Sequence, residues 1–368
     1  MTIMLRKIIA LSTLLLSISA FSQKPAYKML VGTFTNGKAE GIYSLSFDAK
    51  GKLLSNSLLA KTDNPSFMAF STDKKFVYAV NETKDNSAVT AYSFDIKNNS
   101  FTILNRISLE NSGPCYVTTT EKHVIVGNYG NGTISVLERK ADGSLTDTVQ
   151  TIKHVGKIFG RGKFGPSNVH QTLFSPNGKY LIVNNLGKDC IFSYTYNPNS
   201  GNVVLKEVDV KILEKHSGPR HSVFAKNGKL IYMLQELNVG IKVLELNEDG
   251  KLNVIQEISI KKDSVENSGA DIHLSPDEKY LYATNRGDVN EITCFKVEKN
   301  GKLTKQNTYS TEGNKPRNFA ISPDGKFVFV GNQKTDNITV FSRNKQNGKL
   351  KLISKNTELG APVCLLFY

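Results

Sequence analysis

An internal repeat constrains the fold of this chain more than any other feature of its sequence. Six segments share an apolar start, a polar turn, an alternating apolar run, and an Asn or Gln eleven positions after the start. They are FSTDKKFVYAVNE (70–82), VTTTEKHVIVGNY (117–129), FSPNGKYLIVNNL (174–186), FAKNGKLIYMLQE (224–236), LSPDEKYLYATNR (274–286) and ISPDGKFVFVGNQ (321–333). The best-aligned copies begin at 174, 224, 274 and 321. This period of about 50 residues is typical of propeller blades and not of helical repeats.

Each repeat predicts four short antiparallel strands. A first strand enters a Ser-Pro-Asp-Gly type of turn, and the alternating apolar run after the turn predicts a second strand. A third strand follows, as in AVTAYSFD (88–95) and NITVFSR (337–343), and a turn such as NGKL or DGSL leads into a fourth. Helical spacing and helix caps are missing throughout. Four strands in about 50 residues predict one blade of a β-propeller.

The two ends of the repeat region predict one further blade. The segment YKMLVGTFT (27–35) resembles a second strand without its first, and GAPVCLLFY (360–368) resembles a first strand without its second. Pairing them gives a seventh blade, ties the ring and leaves no open radial edge. The sequence therefore predicts an all-β, seven-bladed propeller that is closed by its N- and C-terminal strands. An open β-solenoid would not need complementary end fragments.

Residues 1–22, MTIMLRKIIALSTLLLSISAFS, have the parts of a secretory signal peptide. A basic start with Arg6 and Lys7 precedes an apolar stretch of about a dozen residues and a short end at AFS. The alternative is an uncleaved N-terminal anchor. No other stretch is long and apolar enough to span a bilayer. We therefore expect an exported protein, periplasmic or secreted, in which residues 23–368 form a single domain without a membrane span.

Charge and cysteine content exclude several classes of function. The formal charge is +14, and loss of residues 1–22 would lower it by two, but the lysines are scattered through turns and not gathered into one stripe. This pattern favours a solvated surface over nucleic-acid binding. The four cysteines stand inside apolar, strand-like runs without a CxxC pair, which favours small buried side chains. No His/Cys metal set is visible, so we predict neither a metal nor a cofactor.

Hairpin geometry predicts that ionic residues gather at one rim of the ring. In GPRHSVFAKNGKLIYMLQE (218–236), Arg220 and Glu236 stand at opposite ends of one hairpin and therefore at the same rim of their blade. Because the first strand of a blade is innermost, this rim borders the mouth of the central channel. The position ahead of the first strand is occupied in the best-aligned copies by His170, Arg220, Ala270 and Arg317. The position after the Asn or Gln is occupied by Glu82, Tyr129, Leu186, Glu236, Arg286 and Gln333.

These residue types suit an anionic, oxygen-rich ligand. Arginine binds carboxylate or phosphate through paired donors, and glutamate or histidine can activate water. Structural alternatives remain open: Arg220 and Glu236 can form a plain salt bridge, His170 can be a core histidine, and Glu82 can be solvated. Strand alternation turns His221 to the opposite face, which favours packing. The recurring amides predict structural hydrogen bonds to the backbone at the blade edges; they are Asn81, Asn128, Asn185, Gln235, Asn285 and Asn332.

At these residues the sequence resembles the seven-bladed propeller lactonases, the 6-phosphogluconolactonase family that includes fungal muconate lactonising enzymes. The resemblance covers nearly the whole chain after residue 22 and rests on GPRH with its terminal Glu, on NRG and on PRNF, in that order. The stretches that carry it are PSFMAFSTDKKFVYAVNE (65–82), GPCYV with GNYGNGTISVL (113–137), VHQTLFSPNGKYLIVNNLGKD (169–189), GPRHSVFAKNGKLIYMLQE (218–236), DIHLSPDEKYLYATNRG (271–287) and PRNFAISPDGKFVFVGNQ (316–333).

The resemblance implies hydrolysis of a sugar lactone, without metal or cofactor. It implies a catalytic group of His170, Arg220 and Glu236. The residues expected to hold the anionic or polyol lactone are Arg286, Arg317, Glu82 and Tyr129. Two other functions remain open: a non-enzymatic periplasmic propeller that binds a sugar acid or a protein, and a cycloisomerase of the muconate type.

Two departures from the family pattern bear on the substrate. The family often has His-x-His before the third FSP-type strand, and here the first of these positions is Asn168. In addition, 6-phosphogluconolactone is produced in the cytosol, whereas this chain is expected to be exported. The first departure implies an altered specificity. The second leaves two substrates open, 6-phospho-glucono-1,5-lactone or a related unphosphorylated lactone.

Overall fold

A computed structural model describes residues 25–109, 112–154 and 166–368. The predicted signal peptide, residues 1–22, lies outside these ranges. The described residues form 28 strands and no helix, so none of them belongs to a helix that could cross a membrane.

The strands are short, and most contain six to nine residues. The first fourteen are β1 (Tyr27–Thr33), β2 (Gly41–Phe47), β3 (Leu53–Lys61), β4 (Met68–Phe70), β5 (Phe76–Asn81), β6 (Ala88–Asp95), β7 (Ser100–Ser108), β8 (Pro114–Thr119), β9 (His123–Asn128), β10 (Thr133–Arg139), β11 (Leu145–Lys153), β12 (Val169–Phe174), β13 (Tyr180–Asn185) and β14 (Cys190–Tyr196). The others are β15 (Leu205–Ile212), β16 (Pro219–Phe224), β17 (Leu230–Gln235), β18 (Gly240–Leu246), β19 (Leu252–Ser259), β20 (Asn267–Leu274), β21 (Tyr280–Gly287), β22 (Glu291–Val297), β23 (Leu303–Ser310), β24 (Pro316–Ile321), β25 (Phe327–Asn332), β26 (Asn337–Arg343), β27 (Leu350–Glu358) and β28 (Pro362–Phe367).

These strands form seven four-stranded antiparallel sheets, which confirms the predicted seven-bladed propeller. Blades 1 to 6 are built from consecutive strands, from β4–β7 in blade 1 to β24–β27 in blade 6. Blade 7 has the order β28-β1-β2-β3, so the C-terminal strand supplies its first strand and the N-terminal segment supplies the other three. Leu30 pairs with Leu366 and Val31 with Leu365 in this closure. The two terminal fragments therefore meet as the sequence predicts.

The core lies between the blades. The first strands of successive blades contact one another around the axis, and the second and third strands are largely buried on both faces. Apolar side chains fill each space between blades; for example, the rings of Phe47 in blade 7 and Phe329 in blade 6 lie 4.7 Å apart. The fourth strands, such as β7 and β23, are mostly exposed. The innermost and the outermost strands therefore see different environments, which is the usual arrangement in a propeller.

A β-bulge recurs at the start of six first strands. One extra residue stands opposite the second strand at this point. The bulged residues are Cys115, His170, Arg220, Ala270, Arg317 and Val363. His170, Arg220, Ala270 and Arg317 are predicted from the sequence to lie ahead of the first strand, whereas the structure has them inside it. Bulges re-aim side chains and are frequent beside active sites, so this device sets the direction of the residues at the mouth.

The recurring amides at the ends of the second strands are all buried. Asn81, Asn285 and Asn332 donate to backbone carbonyl groups, as predicted. Asn128 and Gln235 donate instead to nearby side chains. The four cysteines are also buried, and none of them is paired.

Candidate active site

The seven predicted site residues come from six blades and gather at one end of the ring. Their side chains interact there in short chains of contacts, and the charges of Arg220 and Arg317 both act on His170 and on Glu236. The exposed fraction of the side chain rises from 1% for Arg220 through 9% for Arg286 to 24% for Glu82. Arg220 therefore lies deepest, and Glu82 lies nearest to solvent.

Glu236 is held between two arginines. Its Oε2 atom accepts a hydrogen bond from Arg220 Nε at 2.8 Å and lies 3.1 Å from Arg286 Nη2. Burial alone would raise the pKa of Glu236, but the charges of Arg286, Arg220 and Arg317 outweigh it and hold the pKa below its usual value. The carboxylate is therefore ionised at neutral pH. The hairpin salt bridge considered from the sequence is present, and the neighbouring blade adds a second arginine to it.

Arg220 and Arg286 are both anchored to blade 5. Arg220 Nη1 donates to the carbonyl oxygen of Ala270, while Arg286 Nη2 donates to Ser268 Oγ at 2.8 Å and to Gly269 O at 3.0 Å. Burial lowers the pKa of Arg286 to about 9, with Arg220 adding to the effect, so the group remains charged at neutral pH. Both guanidinium groups are therefore fixed in place before a ligand arrives.

Arg317 is held less firmly than the other two arginines. Its Nη2 atom lies 3.7 Å from Glu82 Oε2, beyond hydrogen-bond distance, and its guanidinium group lies 5.1 Å from the centre of the Phe34 ring. The same Glu82 oxygen is buried and has no hydrogen-bond partner among the described residues. Glu82 is therefore not a plain solvated rim residue. This corner of the mouth offers one guanidinium group and one carboxylate oxygen to a ligand.

His170 is a buried, neutral histidine at the mouth. Burial lowers its pKa well below the usual value, and the charge of Arg220 lowers it further. Its ring stands edge-to-face against Tyr129 at 5.7 Å and against His221 at 5.1 Å. The Nδ1 atom is buried and finds no hydrogen-bond partner within the described residues. Buried polar groups are rarely left in this state, which marks His170 as more than a satisfied core histidine.

The residue that departs from the family pattern supports the wall of the site. Asn168 Nδ2 donates to the carbonyl oxygen of Tyr129 at 2.8 Å, and Tyr129 N donates to Gly113 O at 2.9 Å. Asn168 therefore holds the segment that carries Tyr129. By contrast, Leu186, which occupies the equivalent position in the next blade, is buried and apolar and adds no polar group to the mouth.

Aromatic side chains from distant blades close the channel beneath the mouth. Phe67 of blade 1 stacks on Tyr116 of blade 2 at 3.9 Å, and both rings contact His221 of blade 4 at 6.1 and 5.5 Å. Blades 1 and 4 lie on opposite sides of the ring, so these side chains meet at its axis. His221 packs, as the sequence predicts, but the bulge at Arg220 breaks the alternation and His221 lies against His170. These rings therefore lie across the axis of the ring beneath the predicted site residues.

The charges at the mouth suit an oxygen-rich ligand. Three guanidinium groups face two carboxylates, which leaves a small excess of positive charge beside one neutral imidazole and one phenol. In the ranges that the structure describes, no three His, Cys, Asp or Glu side chains are arranged to hold a metal ion. Phe34, Ser268 and Asp271 are not among the residues predicted from the sequence. Asp271 carried a visible signal, because it stands in blade 5 at the position that His221 occupies in blade 4.

Comparisons with known proteins agree with this fold. The family model for "Lactonase, 7-bladed beta-propeller" matches residues 28–367. The 6-phosphogluconolactonase of Bacillus subtilis is 33% identical over 344 residues, which are 92% of this chain and 97% of that protein. A solved structure from Bacteroides fragilis is 35% identical with a TM-score of 0.86, and the periplasmic gluconolactonase of Pseudomonas aeruginosa is 32% identical with a TM-score of 0.87. Each of these two structures aligns over 93% of this chain and 98% of its own. The chain therefore belongs to the seven-bladed β-propeller lactonase family.

Proposed function

We propose that this protein is a lactonase that hydrolyses a sugar lactone at the mouth of the central channel. The observation that carries the proposal is the ionised Glu236, fixed by Arg220 and Arg286, with the neutral His170 close enough for the charge of Arg220 to act on it. The relatives named as 6-phosphogluconolactonase and gluconolactonase support the same reaction class.

The arrangement supplies the groups that lactone opening requires. Water adds to the ring carbonyl carbon while Glu236 or His170 takes its proton, and a negative charge develops on the carbonyl oxygen. Arg220 can stabilise that oxyanion, because its Nη2 atom has no partner among the described residues and its position is fixed in advance. The ring C–O bond then breaks, and the alkoxide takes the proton to give the hydroxy acid.

The substrate follows from the charges and from the proposed location. The Arg317 guanidinium group and the Glu82 carboxylate, which are too far apart for a hydrogen bond, suit the hydroxyl groups of a polyol. The small excess of positive charge suits a neutral or singly charged ligand. We propose that residues 1–22 direct export and that the lactone is an unphosphorylated aldonolactone. Expression of the full chain and of residues 23–368, followed by cell fractionation, tests the export. Recovery of both proteins in the same compartment would contradict it.

A lactone panel on residues 23–368 tests the activity. Opening of phosphorylated and unphosphorylated sugar lactones is followed side by side at mildly acidic pH, where spontaneous opening is slow. We expect turnover by the wild-type protein and a fall of about 10²- to 10⁴-fold in Glu236→Gln or His170→Ala, according to which group is the base. The control is Glu121→Gln, which changes an ion pair to Arg139 at the turn between the first two strands of blade 2, at the end of the ring opposite the mouth.

Wild-type turnover in both site variants would overturn the assignment of the site. Saturable binding of lactones without any turnover would overturn the proposed activity.

A further inference from the structure

A carboxylate lies buried directly beneath the mouth, and it takes no part in the lactone opening proposed above. Asp271 of blade 5 is 2% exposed. One oxygen accepts from His221 Nδ1 at 2.7 Å, and the other accepts from Asn318 Nδ2 at 2.6 Å, from the Phe319 amide at 3.1 Å and from His273 Nε2 at 2.9 Å. Four donors from three blades surround this buried carboxylate. Because burial of an unpaired charge is unfavourable, these donors stabilise the ionised form of Asp271.

Asp271 fixes the state of the His221 ring. A carboxylate that accepts from Nδ1 places the proton of neutral imidazole there and leaves the lone pair on Nε2. No described residue bonds His221 Nε2. The rings of Phe67 and Tyr116 pack around the imidazole and hold its orientation. His221 is therefore an oriented acceptor that lacks a partner.

His170 has a ring nitrogen that can donate to this acceptor. Its buried Nδ1 atom lacks a partner, and its ring centre lies 5.1 Å from that of His221 at an angle of 74°. The two rings are in edge-to-face contact, and no hydrogen bond joins His170 Nδ1 to His221 in this structure. A histidine that acts as a base is usually oriented by a third group, and the Asp271–His221 pair is the group that can serve His170 in this way.

We propose that Asp271 and His221 position His170 as the general base of the reaction: His221 Nε2 accepts the Nδ1 proton of His170, so that the lone pair of His170 Nε2 faces the mouth. This inference rests on the proposed lactonase function and assigns the base within it. The oxygen of water bonds to the lactone carbonyl carbon while its proton passes to His170 Nε2. When the ring C–O bond breaks, that proton moves to the leaving alkoxide oxygen. Asp271 and His221 are positioning residues, since neither touches the substrate.

Two substitutions at one position separate this role from simple packing. His221→Phe keeps a ring against Phe67 and Tyr116 but removes both nitrogens, whereas His221→Gln loses the ring and keeps an acceptor that can reach His170. We expect kcat to fall by about 10- to 100-fold in His221→Phe with KM nearly unchanged, and to fall less in His221→Gln. The control is His123→Phe, because His123 is a buried histidine that bonds Tyr196 in another part of the ring. We expect its kcat to remain unchanged.

Proton positions give a second measurement that does not depend on turnover. Long-range ¹H–¹⁵N spectra of histidine-labelled protein, assigned with the single variants, report the tautomer of each of the six histidines. We expect Nδ1–H tautomers for both His221 and His170. In His221→Phe, the His170 signals should change, while those of His154 should not.

The outcomes distinguish the inference from the function. Wild-type kcat in His221→Phe, with the larger loss in His221→Gln, would show packing and overturn the inference while lactone turnover stands. An Nε2–H tautomer for His170 would overturn it as well. The expected tautomers without turnover of any lactone would support the positioning pair and overturn the proposed function.

Discussion

The two ends of the propeller differ in how much one blade resembles the next. At the end opposite the mouth, the turn between the first two strands is nearly the same in blades 1, 3, 5 and 6. A serine there donates to the Asp or Asn two residues later at 2.6 to 2.7 Å, as Ser71 does to Asp73 and Ser322 to Asp324. At the mouth, the equivalent positions carry Cys, His, Arg, Ala or Val, and their contacts are all different. The repeated residues stabilise the turns at one end of the ring, and the candidate site residues lie at the other end, where the blades differ from one another.

Substitution of one buried arginine at each end of the ring tests this difference between the two ends, and it has the largest expected effect on activity. Arg220 at the mouth and Arg343 at the opposite end are both buried and both paired with a carboxylate. Lysine cannot reproduce the several directed bonds of either one, so Arg220→Lys and Arg343→Lys should each lower the free energy of unfolding by about 1 to 3 kcal/mol. Only Arg220→Lys should lower kcat/KM, by up to about 10³-fold, because the oxyanion loses its fixed donor. Denaturant unfolding and lactone kinetics measure the two effects.

An equal loss of kcat/KM in Arg343→Lys would break the contrast. Activity would then depend on the stability of the ring and not on the mouth.

Buried and exposed aspartates sharpen the contrast through pH. Burial would raise the pKa of Asp271, but His273 and His221 hold it far below the usual value. An Asp with a lowered folded pKa stabilises the protein above its unfolded pKa, near 4, and this stability is lost as pH falls through the folded pKa. We expect Asp271→Asn to lower the free energy of unfolding by about 3 kcal/mol at pH 7. Below pH 4, the free energy of unfolding of this variant should fall less steeply with pH than that of the wild type, because the titrating carboxylate is gone.

The matched control for Asp271 is Asp324→Asn at the opposite end. Asp324 is partly exposed, and its pKa is lowered to about 2 by hydrogen bonds that include Ser322 and Tyr27, against the effect of burial. Its effect at pH 7 should therefore be smaller because of solvent screening. Buried neutral histidines such as His154 cause a separate loss below pH 6.5 in both variants. Equal effects of the two aspartates would contradict the special status of Asp271.

The blades were predictable from sequence because their determinants are local and repeated. Period-two alternation and the recurring turns fix each hairpin, and complementary ends fix the closure of β28 onto β1. The register of a hairpin also brought Arg220 and Glu236 to one rim without further information. Each of these inferences uses residues that lie within one hairpin or that recur in several blades.

The bulges and the contacts between blades were not predictable in the same way. The sequence pattern does not reveal the extra residues at Arg220 and Arg317. The bulge at Arg220 breaks the alternation of side chains and turns His221 toward His170. The bond from His221 to Asp271 joins residues 50 positions apart, in neighbouring blades. Such pairs depend on how the blades twist and pack, which a pattern within one repeat does not encode.

The charge at the edge of the mouth gives a smaller test, on substrate choice. Glu82 faces Arg317 at 3.7 Å, so its carboxylate competes with any anionic group of a ligand. Glu82→Gln should lower KM for a phosphorylated lactone by about 5-fold and leave KM for the neutral lactone within about 2-fold. Steady-state kinetics with both lactones measure this difference. A parallel fall in both KM values would show that Glu82 hinders entry in general and does not select by charge.

The smallest expected effect lies in the uniform turns. Ser322 is fully buried; its hydroxyl group donates to Asp324 and accepts from the Phe327 amide at 2.9 Å. Ser322→Ala leaves that amide without its partner and should cost about 0.5 to 1 kcal/mol of unfolding free energy, with kcat and KM unchanged. Ser71→Ala removes the same bonds in blade 1 and should cost the same amount. Unequal costs would contradict the likeness of the two turns. A change in kcat from either variant would show that the repeated end of the ring is coupled to the mouth.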